Sequence, residues 1–243
     1  MTVLVTRPAQ AGQQLCQQLT QAGFDTLHHP LLAINAGREL PDLPSRMQQA
    51  DMIIAVSQHA VHFAHQTLTE QHSPWSTNAI YFAIGQKTAH VFSKVTQQKV
   101  HYPAHSDSEH LLQCALLQQV SDQTILILRG NGGRELIHDT LTQRGGKVQY
   151  LEAYQRQPLA FDAQQSVKNW QQQNVDTVIV TSEEQLRLLF SPLAAAGQTW
   201  LQRQHVLVPS DRIRDVAHQL GCHQITTIGG ASNDEIIKAL QLT

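Results

Sequence analysis

The sequence predicts an α/β protein built on parallel sheets, and three observations predict it. Short runs of β-branched and aliphatic residues alternate along the chain with segments of helical periodicity, which is the signature of βα units. Apolar stripes at i, i+3, i+4 and i+7, such as Leu186, Leu189, Phe190, Leu193 and again Ile213, Val216, Ala217, Leu220, mark helices that lay one face on a sheet. The chain also repeats itself internally, as the order of its elements shows.

Residues 2–6 read as the first strand, followed by a helix carrying Leu15 and Leu19 and ended by Gly23. The same pattern returns 122 positions on. Leu4-Val-Thr-Arg7 corresponds to Leu126-Ile-Leu-Arg129, and Leu15, Leu19 and Gly23 correspond to Ile137, Leu141 and Gly145. Further strands are expected at 24–29 and 147–152, closing each copy of this first block. A second kind of block repeats 125 positions on: Ile53-Ile-Ala-Val-Ser57 corresponds to Val178-Ile-Val-Thr-Ser182, Gly85 to Ser210, and Glu109-His-Leu-Leu112 to Asp234-Glu-Ile-Ile237. Its strands are expected at 52–56, 79–84 and 99–102, then at 177–181, 205–209 and 224–228; the strand at 124–129 opens the second copy of the first block. One block of each kind supplies about five strands, the number in a small flavodoxin-like sheet. The repeat alone leaves the pairing open. Contiguous halves, 1–120 and 121–243, follow from the rule that sequence neighbours are spatial neighbours. Against them, Pro30–Gly37 and Leu151–Pro158 both follow a first-type block, both contain proline and neither reads as a helix, which gives the two crossings that an interleaved arrangement needs.

Composition narrows the function. With 243 residues and 41% hydrophobic side chains the chain can bury one large core or two small ones. Seventeen Lys and Arg against nineteen Asp and Glu, a net charge of −2, lack the basic excess that nucleic-acid backbones demand. No apolar run approaches the ~18 residues of a membrane span, and Arg7 interrupts the N-terminus too early for a secretory leader. Cys16, Cys114 and Cys222 form no C-x-x-C pair, which suits a reducing cytoplasm.

The chemistry-bearing candidates sit at turns after strands. Arg129-Gly-Asn-Gly-Gly-Arg134 joins a strand to a helix; glycines such as Gly130 let backbone N–H groups face an anion, and Arg129 and Arg134 can pair carboxylates. A tight turn with packed arginines explains the same residues. Ile84-Gly85-Gln-Lys87-Thr88 is a similar turn without the frame of a phosphate loop, and Thr88 there is equally a helix cap. Ser57 and Ser182 end strands before helices and read first as caps; their position at carboxyl strand ends, where open α/β sheets bind ligands, raises a functional role. His59, His62 and His65 recur on one helix, a spacing that reads as a solvated face and not as a zinc site. Tyr154 lies in the second crossing, where a phenol is either a packed aromatic or a proton donor.

Taken in order, these pieces resemble the uroporphyrinogen-III synthase family: Leu4-Val-Thr-Arg-Pro8, Ser57-x-x-Ala60-Val61, Ile84-Gly85-x-x-Thr88-Ala89, Pro103 with Ser108-Glu109-x-Leu111-Leu112, Leu128-Arg129-Gly130-x-x-Gly133-Arg134, Glu152-x-Tyr154-x-Arg156, Val180-Thr-Ser182 and Ala231-Ser232. The resemblance implies two flavodoxin-like parallel-sheet domains joined by a two-stranded linker, one formed by 1–34 with 159–243 and the other by 39–150, with 35–38 and 151–158 as linkers. It implies a cytoplasmic, monomeric lyase that closes hydroxymethylbilane with loss of water and inversion of ring D, using no metal and no organic cofactor. It implies Tyr154 as the group that assists departure of water, and Thr88 as a substrate contact on the other domain's cleft wall. Helix N-termini after Ser57, Gly85, Ser182 and Ser210 can take the carboxylates of such a substrate, with Arg7, Lys87, Arg129 and Arg134 adding positive charge. The second copy departs from the pattern: Val208-Pro-Ser210-Asp-Arg212 stands where the first copy has Ile-Gly-x-x-Thr-Ala. The rival expectation is a non-catalytic, two-lobed α/β protein that binds a small molecule; a flavin protein of the same sheet type is a third.

Overall fold

In the computed structural model, which describes Met1 to Leu242, the N-terminal run Thr2–Val5 forms strand β1 and its residues Val3, Leu4 and Val5 are wholly buried. Burial on both faces is what a central parallel strand requires. Helix α1 (Ala9–Gln21) and strand β2 (Asp25–His28) complete the first block. Next come β3 (Leu32–Ala36), α2 (Leu43–Gln48), β4 (Met52–Ala55), α3 (Gln58–Glu70), β5 (Ile80–Ala83), α4 (Gln86–Thr96), β6 (Val100–His101) and α5 (Ser108–Leu111). The second half holds β7 (Thr124–Gly130), α6 (Leu136–Gln143), β8 (Lys147–Pro158), α7 (Ala163–Gln172), β9 (Val175–Ile179), α8 (Glu183–Phe190), α9 (Ala195–Gln202), β10 (His205–Val208), α10 (Asp211–Gln219), β11 (Gln224–Thr227) and α11 (Asn233–Gln241). No helix among the described residues is long and apolar enough to cross a membrane.

Two sheets result. The first has the order β11-β10-β9-β1-β2 with every pairing parallel. The second runs β6-β5-β4-β7-β8-β3, and its strands from β6 to β8 are parallel. The duplication is visible in the order: β9, β10 and β11 stand to β1 and β2 as β4, β5 and β6 stand to β7 and β8. The chain divides into two compact units, Met1–Ile34 with the segment from Gln157 on, and Asn35–Arg156.

In the first unit alternation along β1 splits the core. Val3 and Val5 join Leu15, Leu19, Ile179, Leu207, Ile236 and Leu240 on one face, while Leu4 joins Val178, Val206, Leu186, Trp170 and Ile213 on the other. The predicted stripe of α8 is buried there as a whole, and in α10 only Leu220 stays partly exposed. Each such side chain contributes about 1.5–3 kcal/mol on burial. In the second unit Ile54, Phe82, Ile125 and Ile127 pack with Leu111, Leu117, Ile137 and Leu141. Gly23 and Gly145, matched in the repeat, both take positive φ, +91° and +86°. Each follows a helix in the left-handed region that side chains avoid, so the two copies end their first helix by the same device.

Two features that local sequence patterning does not mark have physical causes. The crossing at 30–37 contains a strand, β3, and the strand expected at 147–152 continues to Pro158. The Gly37 N–H donates to the Ala153 carbonyl at 3.1 Å and the Leu159 N–H to the Leu31 carbonyl at 2.9 Å. Residue numbers rise on one strand as they fall on the other, so the two crossings pair antiparallel, and Pro30 and Pro158 lie at the ends of the pairing, where a missing N–H costs least. The strand expected at 177–181 lies at Val175–Ile179, because Thr181 is drawn off by the side chain of Gln185.

His29 follows β2 in the first unit and packs edge-on against Phe161 at 4.6 Å and Trp170 at 5.0 Å between ring centroids. Its Nε2 is buried without a hydrogen-bond partner among the described residues. Burial, with a smaller contribution from His28, lowers its pKa from 6.5 to about 4. The folded state therefore binds fewer protons than the unfolded state between those values. Stability is full above about pH 6.5 and falls as the pH drops toward 4, by on the order of 1–3 kcal/mol. Thermal unfolding followed from pH 7.5 to 4.5 is expected to show this loss, and His29→Leu is expected to flatten that part of the profile.

Candidate active site

Where a doubly wound sheet reverses its winding, the loops leaving adjacent strands part and open a crevice at their carboxyl ends. In the second sheet this point lies between β4 and β7, since the chain proceeds one way through β5 and β6 and the other way through β8. A cavity of about 200 Å³ opens there, and its wall includes Ser57, Arg129, Arg134, Tyr150, Tyr154 and Arg156. Four of the eleven sequence-predicted site residues, Ser57, Arg129, Arg134 and Tyr154, thus meet at one place.

Tyr154 owes its position to a break in strand register. Arg129 pairs with Glu152 but Gly130 pairs with Tyr154, leaving Ala153 as an extra residue; bulges of this kind bend a strand and re-aim its side chains. The tyrosine is 2% exposed and its ring lies over Gly130. A β-carbon at position 130 would come within 2.7 Å of ring atoms Cε2 and Cζ. The glycine expected to face an anion is thus also the floor under the phenol, and it borders a cavity of about 570 Å³ with Arg38, Glu39 and Glu152. The Tyr154 hydroxyl accepts a long hydrogen bond, 3.4 Å, from Nη2 of Arg156, and the His59 ring of α3 stands 5.6 Å away, centroid to centroid.

Arg129 is 8% exposed and held on two sides. Its Nη1 donates to Glu135 at 2.9 Å, and its guanidinium lies 4.2 Å above the Tyr150 ring. Tyr150 donates its hydroxyl proton to the other Glu135 oxygen at 2.5 Å, and His138 stacks on the same ring at 4.8 Å. These bonds, Tyr150's first and Arg129's second, keep the Glu135 carboxyl below its usual range. Burial, then the neighbouring carboxylate, pushes the Tyr150 phenol up. The cluster fixes a cation in the cavity wall at low reorganisation cost. Arg134, by contrast, is exposed and forks onto Glu109, with one bond of 3.0 Å and a shorter second one. Such a surface pair contributes little stability, so a ligand carboxylate can replace Glu109 cheaply.

The remaining predicted residues are placed as follows. Ser57 caps α3, its hydroxyl accepting from the Ala60 N–H at 3.1 Å. Gly85 is the N-cap of α4, where a side chain would collide with Ser106. Thr88, read as a possible cap, lies instead three residues inside the helix and is buried. Lys87 does not reach the cavity; it lines a separate groove of about 470 Å³ with Gln86, His90 and Tyr102.

In the first unit the winding reverses between β1 and β9. Thr6 donates to the Ile179 carbonyl at 2.8 Å, and the buried Gln185 accepts from Thr181 N–H at 3.0 Å. Ser182 caps α8 by accepting from the Gln185 N–H at 3.2 Å. Ser210 is the N-cap of α10, without a side-chain capping bond. Arg7 donates to Asn233 at 2.6 Å, and Asn233 in turn donates to Gln18 at 2.6 Å; this charge is therefore braced against the start of α11.

Sequence reasoning passed over Tyr150, Glu135, Arg156 and His59 as site residues. Tyr150 lies four residues before Tyr154 on the same strand, but the bulge at Ala153 breaks the alternation between them, so spacing alone did not mark it. Glu135 had no signal, because its role depends on a fold-back of α6 onto β8.

Comparison with known proteins bears on this arrangement. The family profile described as "Uroporphyrinogen-III synthase HemD" matches residues 13–237. The uroporphyrinogen-III synthase of Escherichia coli (strain K12) is 41% identical over 246 aligned residues, covering 99% of this chain and 100% of that protein. The chain belongs to the uroporphyrinogen-III synthase family. The synthase of Salmonella typhimurium is 40% identical with the same coverage. Solved structures of uroporphyrinogen III synthases share the fold: a mutant form from the extremely thermophilic bacterium Thermus thermophilus at TM-score 0.68 and 18% identity over all of both chains, and one from Helicobacter pylori at 0.62 and 14%, covering all of this chain and 99% of that one. Membership in this synthase family makes the chain an enzyme, a lyase of tetrapyrrole biosynthesis, and sets aside the reading as a non-catalytic binding protein.

Proposed function

We propose that this uroporphyrinogen-III synthase works on hydroxymethylbilane at the cavity between β4 and β7, with Tyr154 as proton donor. The carbon–oxygen bond of the hydroxymethyl group breaks; the phenol supplies the proton with which hydroxide leaves as water. The carbocation so formed, delocalised over its pyrrole, is attacked by the substituted carbon of ring D. The spiro product rearranges with that ring inverted, and the proton lost as the macrocycle aromatises its last pyrrole returns to the phenolate. Such chemistry calls for positioning and one well-placed proton more than for a strong nucleophile. Tyr154 is the observation that carries this reading: a phenol enclosed by the cavity wall, aimed by a bulge, and floored by a glycine.

The substrate is a polycarboxylate, and the chain's net charge is −2. Helix N-termini reconcile the two, since backbone N–H groups bind carboxylates without a basic surface. In this reading α3 and α4, after Ser57 and Gly85, and α8 and α10, after Ser182 and Ser210, receive carboxylates, Thr88 adds a contact, and Arg7, Lys87, Arg129, Gly130 and Arg134 supply local charge or backbone donors. The segments 1–34 with 159–243 and 39–150 act as two domains, with 35–38 and 151–158 as a two-stranded linker. The enzyme acts as a cytoplasmic monomer and needs no cofactor or nucleic acid.

The reading is tested by giving freshly made hydroxymethylbilane to the purified protein, oxidising the products and separating the porphyrin isomers. Type III isomer formed faster than spontaneous closure is expected. Type I alone, at the spontaneous rate, would sink it.

A further inference from the structure

The loop between β7 and α6 carries a residue that neither packs in a core nor lines the cavity between β4 and β7, yet is bonded on both sides of its carboxamide. Asn131 accepts from the Arg156 N–H at 2.9 Å through Oδ1 and donates to the Arg156 carbonyl at 3.1 Å through Nδ2. Its own N–H donates to the Tyr154 carbonyl at 3.1 Å. Three bonds from one exposed residue therefore clasp the backbone on either side of Gln155, just after the register break. The held segment carries two side chains that touch each other: Nη2 of Arg156 lies 3.4 Å from the Tyr154 hydroxyl oxygen, and its guanidinium carbon 5.9 Å from the ring centre.

A phenolic proton has two favoured positions, both in the ring plane. When the oxygen accepts a hydrogen bond from one side, the proton turns to the other. We propose that Asn131 and Arg156 are positioning residues for Tyr154: Asn131 fixes the backbone of Arg156, and the guanidinium, by donating to the phenol oxygen, turns the phenolic proton toward the departing hydroxyl group of the substrate. The bond is long without substrate, as catalytic bonds commonly are before they tighten in the complex. The inference rests on the reading of Tyr154 as proton donor and deepens it.

Steady-state kinetics on hydroxymethylbilane, with isomer analysis of the products, test it. Arg156→Gln is expected to lower kcat ~10-fold or more and to leave KM within about twofold, because orientation and not binding is lost. Asn131→Ala is expected to lower kcat by a smaller factor, ~3- to 10-fold, with a melting temperature close to that of the unaltered protein, so that misfolding does not explain the loss. The decisive variant is the double one. If Arg156 acts through Tyr154, Arg156→Gln added to Tyr154→Phe costs nothing further, because residues acting as a unit are not additive. Multiplicative losses in the double variant, or a rise in KM with kcat unchanged in Arg156→Gln, would overturn the proposal. Full activity of Tyr154→Phe by itself would instead remove the proton-donor reading, a failure distinct from the others.

Discussion

Replacing Tyr154 by phenylalanine is expected to lower kcat for formation of the type III isomer by ~10²-fold or more, the usual worth of a positioned general acid. Phenylalanine keeps the ring over Gly130 and within reach of His59, so the packing survives. Among the described residues the hydroxyl bonds only to Arg156, at 3.4 Å, and a bond of that length contributes little to folding. The melting temperature should therefore stay near that of the unaltered protein while turnover falls. As catalysis drops, spontaneous closure competes and the proportion of type I product rises. Unchanged turnover would return Tyr154 to a packing role.

Gly130→Ala is expected to be nearly as damaging by a different route. The added β-carbon would lie 2.7 Å from two atoms of the Tyr154 ring, and the ring is almost wholly buried. It must shift, or β7 and β8 must separate at the register break. Overpacking of this kind costs about 1–3 kcal/mol, and displacing a catalytic group by an ångström costs up to ~10²-fold in rate. Gly132→Ala two residues on is the control, because a β-carbon there meets no atom within 4 Å. Loss of activity in the first variant with full activity in the second would separate crowding of Tyr154 from a general intolerance of the loop. Equal effects would contradict the account.

Much of the fold is legible in the chain because local signals and burial agree. The ten strands expected from β-rich runs each find a strand in the structure, and the helix-ending glycines of the repeat, Gly23 and Gly145, share one backbone conformation. The strand β3 was not legible in the local pattern; only the two-stranded linker that the family resemblance implies pointed to it. Leu32–Ala36 follows a proline and carries no alternation; it becomes a strand only because β8 offers it a partner, and pairing partners are not written in local sequence. The site shows the same division. Ser57, Arg129 and Tyr154 stand at turns or crossings that sequence can place at carboxyl strand ends, and they do meet around one cavity. Lys87 is only two residues from Gly85, yet the turn of α4 carries it into another groove. Glu135 and Tyr150 were invisible as partners because the 2.5 Å bond between them needs the helix and strand to be packed first.

The order of strands in the first sheet has a consequence for synthesis on the ribosome. Thr6 at the end of β1 bonds to Ile179, 173 residues later, and β1 lies beside β9 as well as β2. β1 therefore waits after it leaves the exit tunnel, with its apolar residues unpaired on one edge, until β9 has emerged. At the ordinary pace of translation that wait is on the order of ten seconds or more. The strands β4 to β8, contiguous in sequence, meet their partners well before. During the interval Val3, Leu4 and Val5 form an exposed apolar edge of the kind that recruits wrong strands, and a chain cut short before β9 would carry that edge for good.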